Sequence, residues 1–160
     1  MAEKDFVHFI GPIFEHSPWI AKQAAGARPF ENLEMLHRSF CEIVLQTDRT
    51  KQLDLIRAHP DLVGRAALQG KLTSESTREQ TSAGLGQLTS EEIDRFQNLN
   101  SEYRERFGFP FVICARLNKK EAILAGFRDR LNNSHEAEIK TALEEIFKIA
   151  LLRLRDIVQA

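Results

Sequence analysis

Apolar residues recur every three or four positions along nearly the whole chain, which is the spacing of amphipathic helices. The clearest run lies within 31–46 and consists of Leu33, Leu36, Phe40, Ile43 and Val44. Only residues 109–113 have a strand-like pattern. Since that stretch is isolated, we expect a buried extended connection or the start of a helix there rather than a sheet. The pattern therefore predicts an all-α fold, a compact bundle of about eight helices in a single domain over residues 1–160.

Capping and stop residues indicate where several of these helices begin and end. Thr89 and Glu92 have the spacing of a capping box, and Gly108 is the expected stop of the long helix that follows. Ser17 is predicted to cap a second helix that starts at Pro18. These signals divide the chain into helices with short connections.

Composition and charge exclude several classes of protein. The 160 residues include 22 Lys plus Arg and 23 Asp plus Glu, so the net charge of -1 argues against a nucleic-acid partner. No apolar run approaches the ~18 residues that a membrane-spanning helix needs. The ends of the chain show neither a signal peptide nor a peroxisomal address. Cys41 and Cys114 are expected to be buried free thiols, and we expect a cytoplasmic location.

Phenylalanine is the most unusual part of the composition, with 11 Phe against one Trp and one Tyr. Most of these residues lie on helical stripes and are expected in the core. Phe107, Phe109 and Phe111 instead alternate around Gly108 and Pro110. Buried rings at these positions would hold an irregular backbone rigid beside a ligand.

Arg153 falls beside the apolar stripe of the last helix, whereas Arg155 falls on the far side. A buried guanidinium is costly without a partner. The interior position of Arg153 therefore predicts a partner, either a buried carboxylate of the protein or an anionic ligand. The forked pair of N–H groups on a guanidinium suits a carboxylate. The sequence leaves both alternatives open.

His59 follows a helix predicted from about Asp48 to Ala58, and Pro60 stops that helix because it disfavours helical geometry at the preceding residue. An imidazole with an ordinary pKa near 6.5 suits proton transfer at neutral pH. The structural alternative is a capping or surface histidine. No histidine lies in a metal-binding spacing such as HExxH, so we predict no metal site.

Ser76, Glu79 and Gln80 share one face of a helical turn at i, i+3 and i+4. Such a face presents a hydroxyl, a carboxylate and an amide to a small polar substrate. Ser76 and Glu79 also have the spacing of a capping box, in which Ser76 would be the N-cap. Capping and ligand binding are therefore competing interpretations of this segment.

Taken together, these segments resemble the OHCU (2-oxo-4-hydroxy-4-carboxy-5-ureidoimidazoline) decarboxylase family. The resemblance extends over about residues 6–158. It is carried by His59-Pro60-Asp61-Leu62, Ser76-x-x-Glu79-Gln80 with Ala83-Gly84-Leu85, Tyr103-Arg104-x-x-Phe107-Gly108-Phe109-Pro110-Phe111-Val112, Glu15-His16-Ser17-Pro18-Trp19 and Arg28-Pro29-Phe30. The combination is specific, although no single segment is.

The resemblance implies a cofactor-independent enzyme of urate degradation, usually a homodimer, that forms (S)-allantoin and CO2. It assigns catalysis to His59 and Glu79. The substrate-binding positions that it implies are Pro60, Ser76, Gln80, Phe111, Val112, Ile113 and Arg153. His59 is expected to act as general acid and base, with Glu79 orienting it.

Two other functions are compatible with the same scaffold. One is a non-catalytic helical binding module, which would not need the proton-transfer groups His59 and Glu79. The other is a different lyase or hydrolase of cyclic ureides. Assays with allantoin, allantoate and hydroxyisourate would distinguish these activities.

Overall fold

The computed structural model describes residues 2–159, without the side chains of Arg65, Ala66 and Gln159. Within that part of the chain there are eight α-helices of seven or more residues, one shorter α-helical turn, two 3-10 turns and no strand. The prediction of an all-α fold with about eight helices is confirmed. In chain order the α-helices are α1 (Glu3–Ile10), α2 (Trp19–Ala25), α3 (Leu33–Gln46), α4 (Arg49–Arg57), the turn α5 (Arg65–Leu68), α6 (Ser74–Ser82), α7 (Ser90–Phe107), α8 (Lys120–Arg130) and α9 (His135–Gln159).

The capping box and the stop predicted for α7 are both present. The Glu92 amide donates to Thr89 Oγ1 and the Thr89 amide donates to Glu92 Oε1, each at 3.1 Å. Gly108 ends the helix in the left-handed region at φ 80°, where a residue without Cβ is favoured. Residues 109–114 then run without regular structure, as predicted.

The cap predicted for α2 is wrong. Ser17 Oγ donates to the Glu15 carbonyl at 2.9 Å, and α2 begins at Trp19 without a side-chain cap. His16 adopts a left-handed conformation at φ 48°. This turn brings the Ser17 hydroxyl onto the Glu15 carbonyl rather than onto the first amides of the helix.

Contacts group the chain into two compact units. Unit 1 consists of Met1–Ala58 and Ile146–Ala160, and unit 2 consists of His59–Glu145; Met1 and Ala160 lie outside the described residues. In unit 1, α2 packs against α1 and α3. The completely buried side chains there include Ile20, Phe40 and Ile56. The prediction that residues 1–160 form one domain stays a prediction.

The core of unit 2 is built largely from aromatic rings. The rings of Phe111 and Phe127 stack with centroids 3.8 Å apart, and Tyr103 meets Phe111 edge-on at 5.3 Å. Phe107 and Phe109 are buried as well. The alternating phenylalanines predicted to hold the irregular segment therefore do lie in a packed core.

Both cysteines are free thiols, as predicted, but only Cys114 is buried, and Cys41 is half-buried. Burial raises the pKa of Cys41 to about 11. No helix among residues 2–159 has the length and apolar character needed to cross a membrane.

Candidate active site

The predicted polar face of α6 is formed and buried. Ser76, Glu79 and Gln80 are 4%, 9% and 7% exposed. The N-cap is Thr73, whose hydroxyl accepts from the Ser76 amide at 3.2 Å. The interpretation of Ser76 as N-cap is therefore wrong, because Thr73 starts the helix one turn earlier. With the cap at Thr73, the hydroxyl, carboxylate and amide lie together on one buried face, the arrangement that the ligand-binding interpretation requires.

His59 begins the loop that follows α4. The helix ends at Arg57 with Ala58 as C-cap, as Pro60 predicts. His59 is 5% exposed, so the interpretation of a surface histidine is wrong. Pro60, which is half-buried, fixes the backbone immediately after it.

Gln80 joins α6 to the loop that His59 begins. Its Oε1 accepts from the Val63 amide at 3.1 Å, and its Nε2 donates to the Asp61 carbonyl at 3.4 Å. Val63 is a β-branched residue at φ 54°, a strained conformation that persists only where its surroundings hold it. The amide of Gln80 thus anchors the backbone two to four residues after His59.

Helix α7 holds the same loop from a second direction. Asn100 Nδ2 donates to the Leu62 carbonyl at 2.7 Å. Arg104, one turn further along, donates from Nε to the Asp61 carboxylate at 3.1 Å. Because Asn100 and Arg104 are four residues apart, they lie on one face of the helix. The sequence motifs did not single out Asn100.

The segment with Phe111, Val112 and Ile113 is held by two buried charged side chains. Arg130 Nη1 donates to the Val112 carbonyl at 2.7 Å. Glu145 Oε1 accepts from the Cys114 amide at 3.0 Å. Phe111 and Val112 are buried and Ile113 is half-buried. The irregular backbone of this segment is thus fixed from both sides of Ile113.

Arg130 is itself held by a buried carboxylate. Glu138, completely buried, accepts from Arg130 Nε at 2.8 Å and from the Tyr103 hydroxyl at 2.5 Å. Its second oxygen accepts from Asn133 at 2.9 Å. Burial raises the pKa of Tyr103, and its hydrogen bond to Glu138 raises it further. The phenol is therefore a stable donor in this network.

The burial of the two carboxylates Glu138 and Glu145 is not visible in the sequence pattern of α9. Glu138 and Glu145 are seven residues apart, so they lie on one side of α9. At about 100° per residue, however, both lie roughly 120–140° from the centre of the apolar stripe that places Arg153 inside, so the helical wheel does not predict their burial. Both are buried at 0% and 7% exposure.

Glu79 and the segment ending at Cys114 belong to one neighbourhood of unit 2. Burial raises the pKa of the Cys114 thiol, and the negative charges of Glu145 and Glu79 raise it further. Helix α6 packs against the 3-10 turn Ala115–Leu117. Lys119 Nζ also donates to the Ser82 carbonyl at the end of α6, at 2.6 Å.

Arg153 is buried in unit 1, and Arg155 is exposed, as the stripe of α9 predicts. Arg153 Nη2 donates to Glu15 Oε1 at 2.9 Å, and Arg153 Nη1 donates to the Ile13 carbonyl at 3.3 Å. Of the two predicted partners, the structure provides the carboxylate of the protein. A guanidinium has five donors, so this pairing is compatible with a further ligand.

Unit 2 therefore contains most of the predicted site. His59, Pro60, Ser76, Glu79, Gln80, Phe111, Val112 and Ile113 belong to it, whereas Arg153 belongs to unit 1. The contacts of Gln80 connect the loop after His59 to α6. Across the described part of the chain, no group of three or more His, Cys, Asp or Glu side chains is arranged to hold a metal ion.

Comparisons with known proteins identify the family of the chain. A family model described as OHCU decarboxylase matches residues 1–155. The chain is 43% identical to the 2-oxo-4-hydroxy-4-carboxy-5-ureidoimidazoline decarboxylase of Amia calva, covering 99% of this chain and 91% of that one. It is 44% identical to the decarboxylase of the same name from Mus musculus, covering 98% of this chain and 88% of that one.

A solved structure supports the same relationship. The crystal structure of an (S)-allantoin synthase superposes with a TM-score of 0.79 at 29% identity. The match covers 98% of this chain and 50% of that chain, so this chain spans half of its length. From the family match and these similarities, we conclude that the chain belongs to the OHCU decarboxylase family.

Proposed function

We propose that this chain decarboxylates 2-oxo-4-hydroxy-4-carboxy-5-ureidoimidazoline to (S)-allantoin and CO2, with His59 and Glu79 as the acid–base residues. The observation that carries the proposal is the buried polar face of α6, whose Gln80 also holds the loop after His59. Relatives from Amia calva and Mus musculus carry the name of this decarboxylase. An enzyme of this kind is a carboxy-lyase of urate degradation.

The substrate supplies its own electron sink. One ring carbon bears a carboxylate and a hydroxyl, and the next carbon is doubly bonded to nitrogen. When the bond to the carboxylate breaks, CO2 leaves and the electron pair forms a carbon–carbon double bond. The imine nitrogen takes up a proton, which leaves an enol.

Two proton transfers then convert the enol to allantoin and determine its configuration. The enol hydroxyl loses its proton and becomes a carbonyl, while the neighbouring carbon gains a proton. Delivery to one face of that carbon gives the S configuration. His59 exchanges the proton at the hydroxyl or the adjacent ring atoms. Positioned proton transfer of this type contributes about 10²–10⁴-fold to the rate.

The remaining side chains orient the substrate and its developing charge. Glu79 orients the imidazole of His59 and stabilises its protonated form. Ser76 and the amide of Gln80 hydrogen-bond the ring and the ureido group, while Pro60 and residues 111–113 shape the pocket. Arg153 binds an anionic or carbonyl edge of the substrate through its forked guanidinium.

A coupled assay tests this function directly. Urate oxidase and hydroxyisourate hydrolase generate the substrate from urate, and circular dichroism follows the handedness of allantoin. We expect the chain to accelerate formation of the S enantiomer. Slow, racemic allantoin at the rate seen without the chain would refute the proposal and favour a non-catalytic binding module. Parallel assays with allantoin, allantoate and hydroxyisourate test a different hydrolase or lyase activity.

We also propose that the chain works as a cytoplasmic homodimer without a cofactor. The support is the resemblance of its motifs to a family that is usually dimeric. Analytical ultracentrifugation over a range of concentrations tests the dimer, and a single species with the 18.3 kDa mass of one chain would contradict it. Fractionation of the producing cells tests the location.

A further inference from the structure

We propose that Asn100 is a positioning residue for His59, which it holds in place through the backbone of the loop between them. This inference rests on the proposed function, because it assigns to His59 the role of acid–base residue. Asn100 touches the loop at Leu62 and belongs to α7, a helix that carries none of the predicted site residues.

The contact itself is short and buried. Asn100 is 5% exposed, and its Nδ2 lies 2.7 Å from the Leu62 carbonyl oxygen. The partners are 38 residues apart in the chain. Such a bond fixes one backbone group of the loop relative to a long helix, and Leu62 is only three residues after His59.

Asn100 carries a structural cost that its packing does not explain. Among the described residues, its Oδ1 is the one buried side-chain nitrogen or oxygen atom without a hydrogen-bond partner. A buried acceptor left unpaired costs about 1–3 kcal/mol. An apolar side chain of the same size would remove this cost. The same amide has one hydrogen bond that offsets this cost, from its N–H group to the Leu62 carbonyl.

Other contacts in unit 2 converge on the same three loop residues. Gln80 binds the Asp61 carbonyl and the Val63 amide, and Arg104 binds the Asp61 carboxylate. The Leu62 carbonyl receives its bond from Asn100. The loop is thus held by α6, which carries Glu79, and by α7. Asn100 supplies the buried contact from the α7 side.

The consequence for catalysis is geometric. Without its donor, the Leu62 carbonyl has to find another partner, and the loop shifts to provide one. A displacement of about 1 Å in a catalytic group can lower the rate by about 10²-fold. Substrate binding through Ser76 would change less, since this side chain belongs to α6.

The test compares Asn100→Leu with a matched control, Asn132→Leu. Leucine keeps the branched shape of the Asn100 side chain and removes both its donor and its unpaired oxygen. Asn132 also donates from Nδ2 to a backbone carbonyl, that of Arg128 at 3.1 Å, but lies exposed at the end of α8. For Asn100→Leu we expect kcat to fall about 10–100-fold with KM within about threefold of the original value. For Asn132→Leu we expect both constants to stay unchanged.

A spectroscopic signature separates positioning from loss of folded protein. The imidazole signals of His59, assigned by their disappearance in His59→Gln, should move in the NMR spectrum of Asn100→Leu and stay in place in Asn132→Leu. This measurement needs no substrate. If the His59 signals and kcat both match the original chain in folded Asn100→Leu, the inference is refuted.

A second variant disturbs the same loop without touching Asn100. A Cβ on Gly64 would lie 2.7 Å from Asp61 Cβ, so Gly64→Ala has to displace that part of the loop. We expect the same fall in kcat and the same movement of the His59 signals. If Asn100→Leu fails to fold, unchanged kcat and unmoved His59 signals in Gly64→Ala refute the inference, because the loop would then not position His59. Failure of the proposed function is distinguishable, because then the unmodified chain itself forms no (S)-allantoin.

Discussion

The guanidinium of Arg153 and the carboxylate of Glu15 form an ion pair at 2.9 Å across 138 residues of sequence. Their side chains are 3% and 2% exposed, so water does not screen the pair. Removing one partner of a buried pair leaves an uncompensated charge and costs about 3–5 kcal/mol. This relationship gives the interior arginine of α9 a structural partner, and it fixes the direction of the guanidinium fork.

The pair leads to a prediction that separates its structural role from substrate binding. Glu15→Gln should lower the free energy of unfolding by about 3–5 kcal/mol, measured by urea denaturation. Arg153→Lys keeps the charge but loses the fork. If Arg153 also binds substrate, we expect KM to rise about 10–100-fold, as for lost hydrogen bonds to a charged group.

Arg155→Lys is the control for this comparison, because Arg155 is exposed on the same helix. It should change neither stability nor KM. A folded Arg153→Lys with unchanged KM and kcat would restrict Arg153 to its ion pair with Glu15.

Thr73 and Ser76 give a second prediction, because one starts α6 and the other lies on its buried face. Thr73→Ala removes the N-cap and should cost about 1 kcal/mol of stability. Ser76→Ala removes no cap, so its main effect should be a higher KM. Urea denaturation and steady-state kinetics of the two variants check this separation. A larger loss of stability in Ser76→Ala, with KM unchanged, would contradict it.

His59 and Glu79 give the third prediction. His59→Ala should lower kcat by about 10²–10⁴-fold, because it removes the proposed general acid and base. Glu79→Gln keeps the shape of the side chain but loses the charge that we propose stabilises protonated His59, so kcat should fall as well. The exposed histidine His16 offers a control, and His16→Ala should retain the original kcat. Near-original turnover in His59→Ala would remove His59 from catalysis.

Local signals in the sequence predicted the fold well where the interacting residues are close in the chain. The capping box of Thr89 and Glu92 and the stop at Gly108 each involve neighbours within one turn. The caps predicted at Ser17 and Ser76 are wrong, because local signals can be ambiguous. The hydroxyls of Ser17 and Ser76 each had more than one local candidate role, and a turn at His16 or an earlier cap at Thr73 decided between them.

The candidate site was predictable only in part. His59, Ser76, Glu79 and Gln80 form short motifs, so their residue types and spacing are visible in the sequence. The contacts that hold them are not, because Asn100 and Leu62 are 38 residues apart and Cys114 and Glu145 are 31 apart. No local periodicity specifies which backbone group a distant amide or carboxylate will bind. Such partners follow only from the tertiary packing.

Tyr103 gives the fourth prediction, which concerns alkaline pH. Burial and the hydrogen bond to Glu138 raise its pKa above the ordinary value near 10. The folded chain therefore binds the phenolic proton more tightly than the unfolded chain. The resulting stability is present in full below the unfolded pKa and is lost as pH rises above it.

Tyrosinate absorbance measures this directly, since Tyr103 is the single tyrosine. We expect no tyrosinate in the folded chain near pH 10, and its appearance at higher pH together with loss of helical circular dichroism. Chain unfolded in urea should titrate near the ordinary value. Tyrosinate near pH 10 in a fully helical chain would contradict the buried network.

The fifth prediction concerns the single domain expected from the sequence. Trp19 and Tyr103 are the only Trp and the only Tyr, and they belong to units 1 and 2 respectively. The boundary at Glu145 and Ile146 falls inside the continuous helix α9. Because breaking a helix internally loses consecutive hydrogen bonds, we expect both units to unfold in one transition.

Urea denaturation of the original chain should give the same midpoint by Trp19 fluorescence and by helical circular dichroism. In Trp19→Phe, Tyr103 fluorescence and circular dichroism should likewise coincide. Separate midpoints for the two probes within one chain would show two independently folding domains.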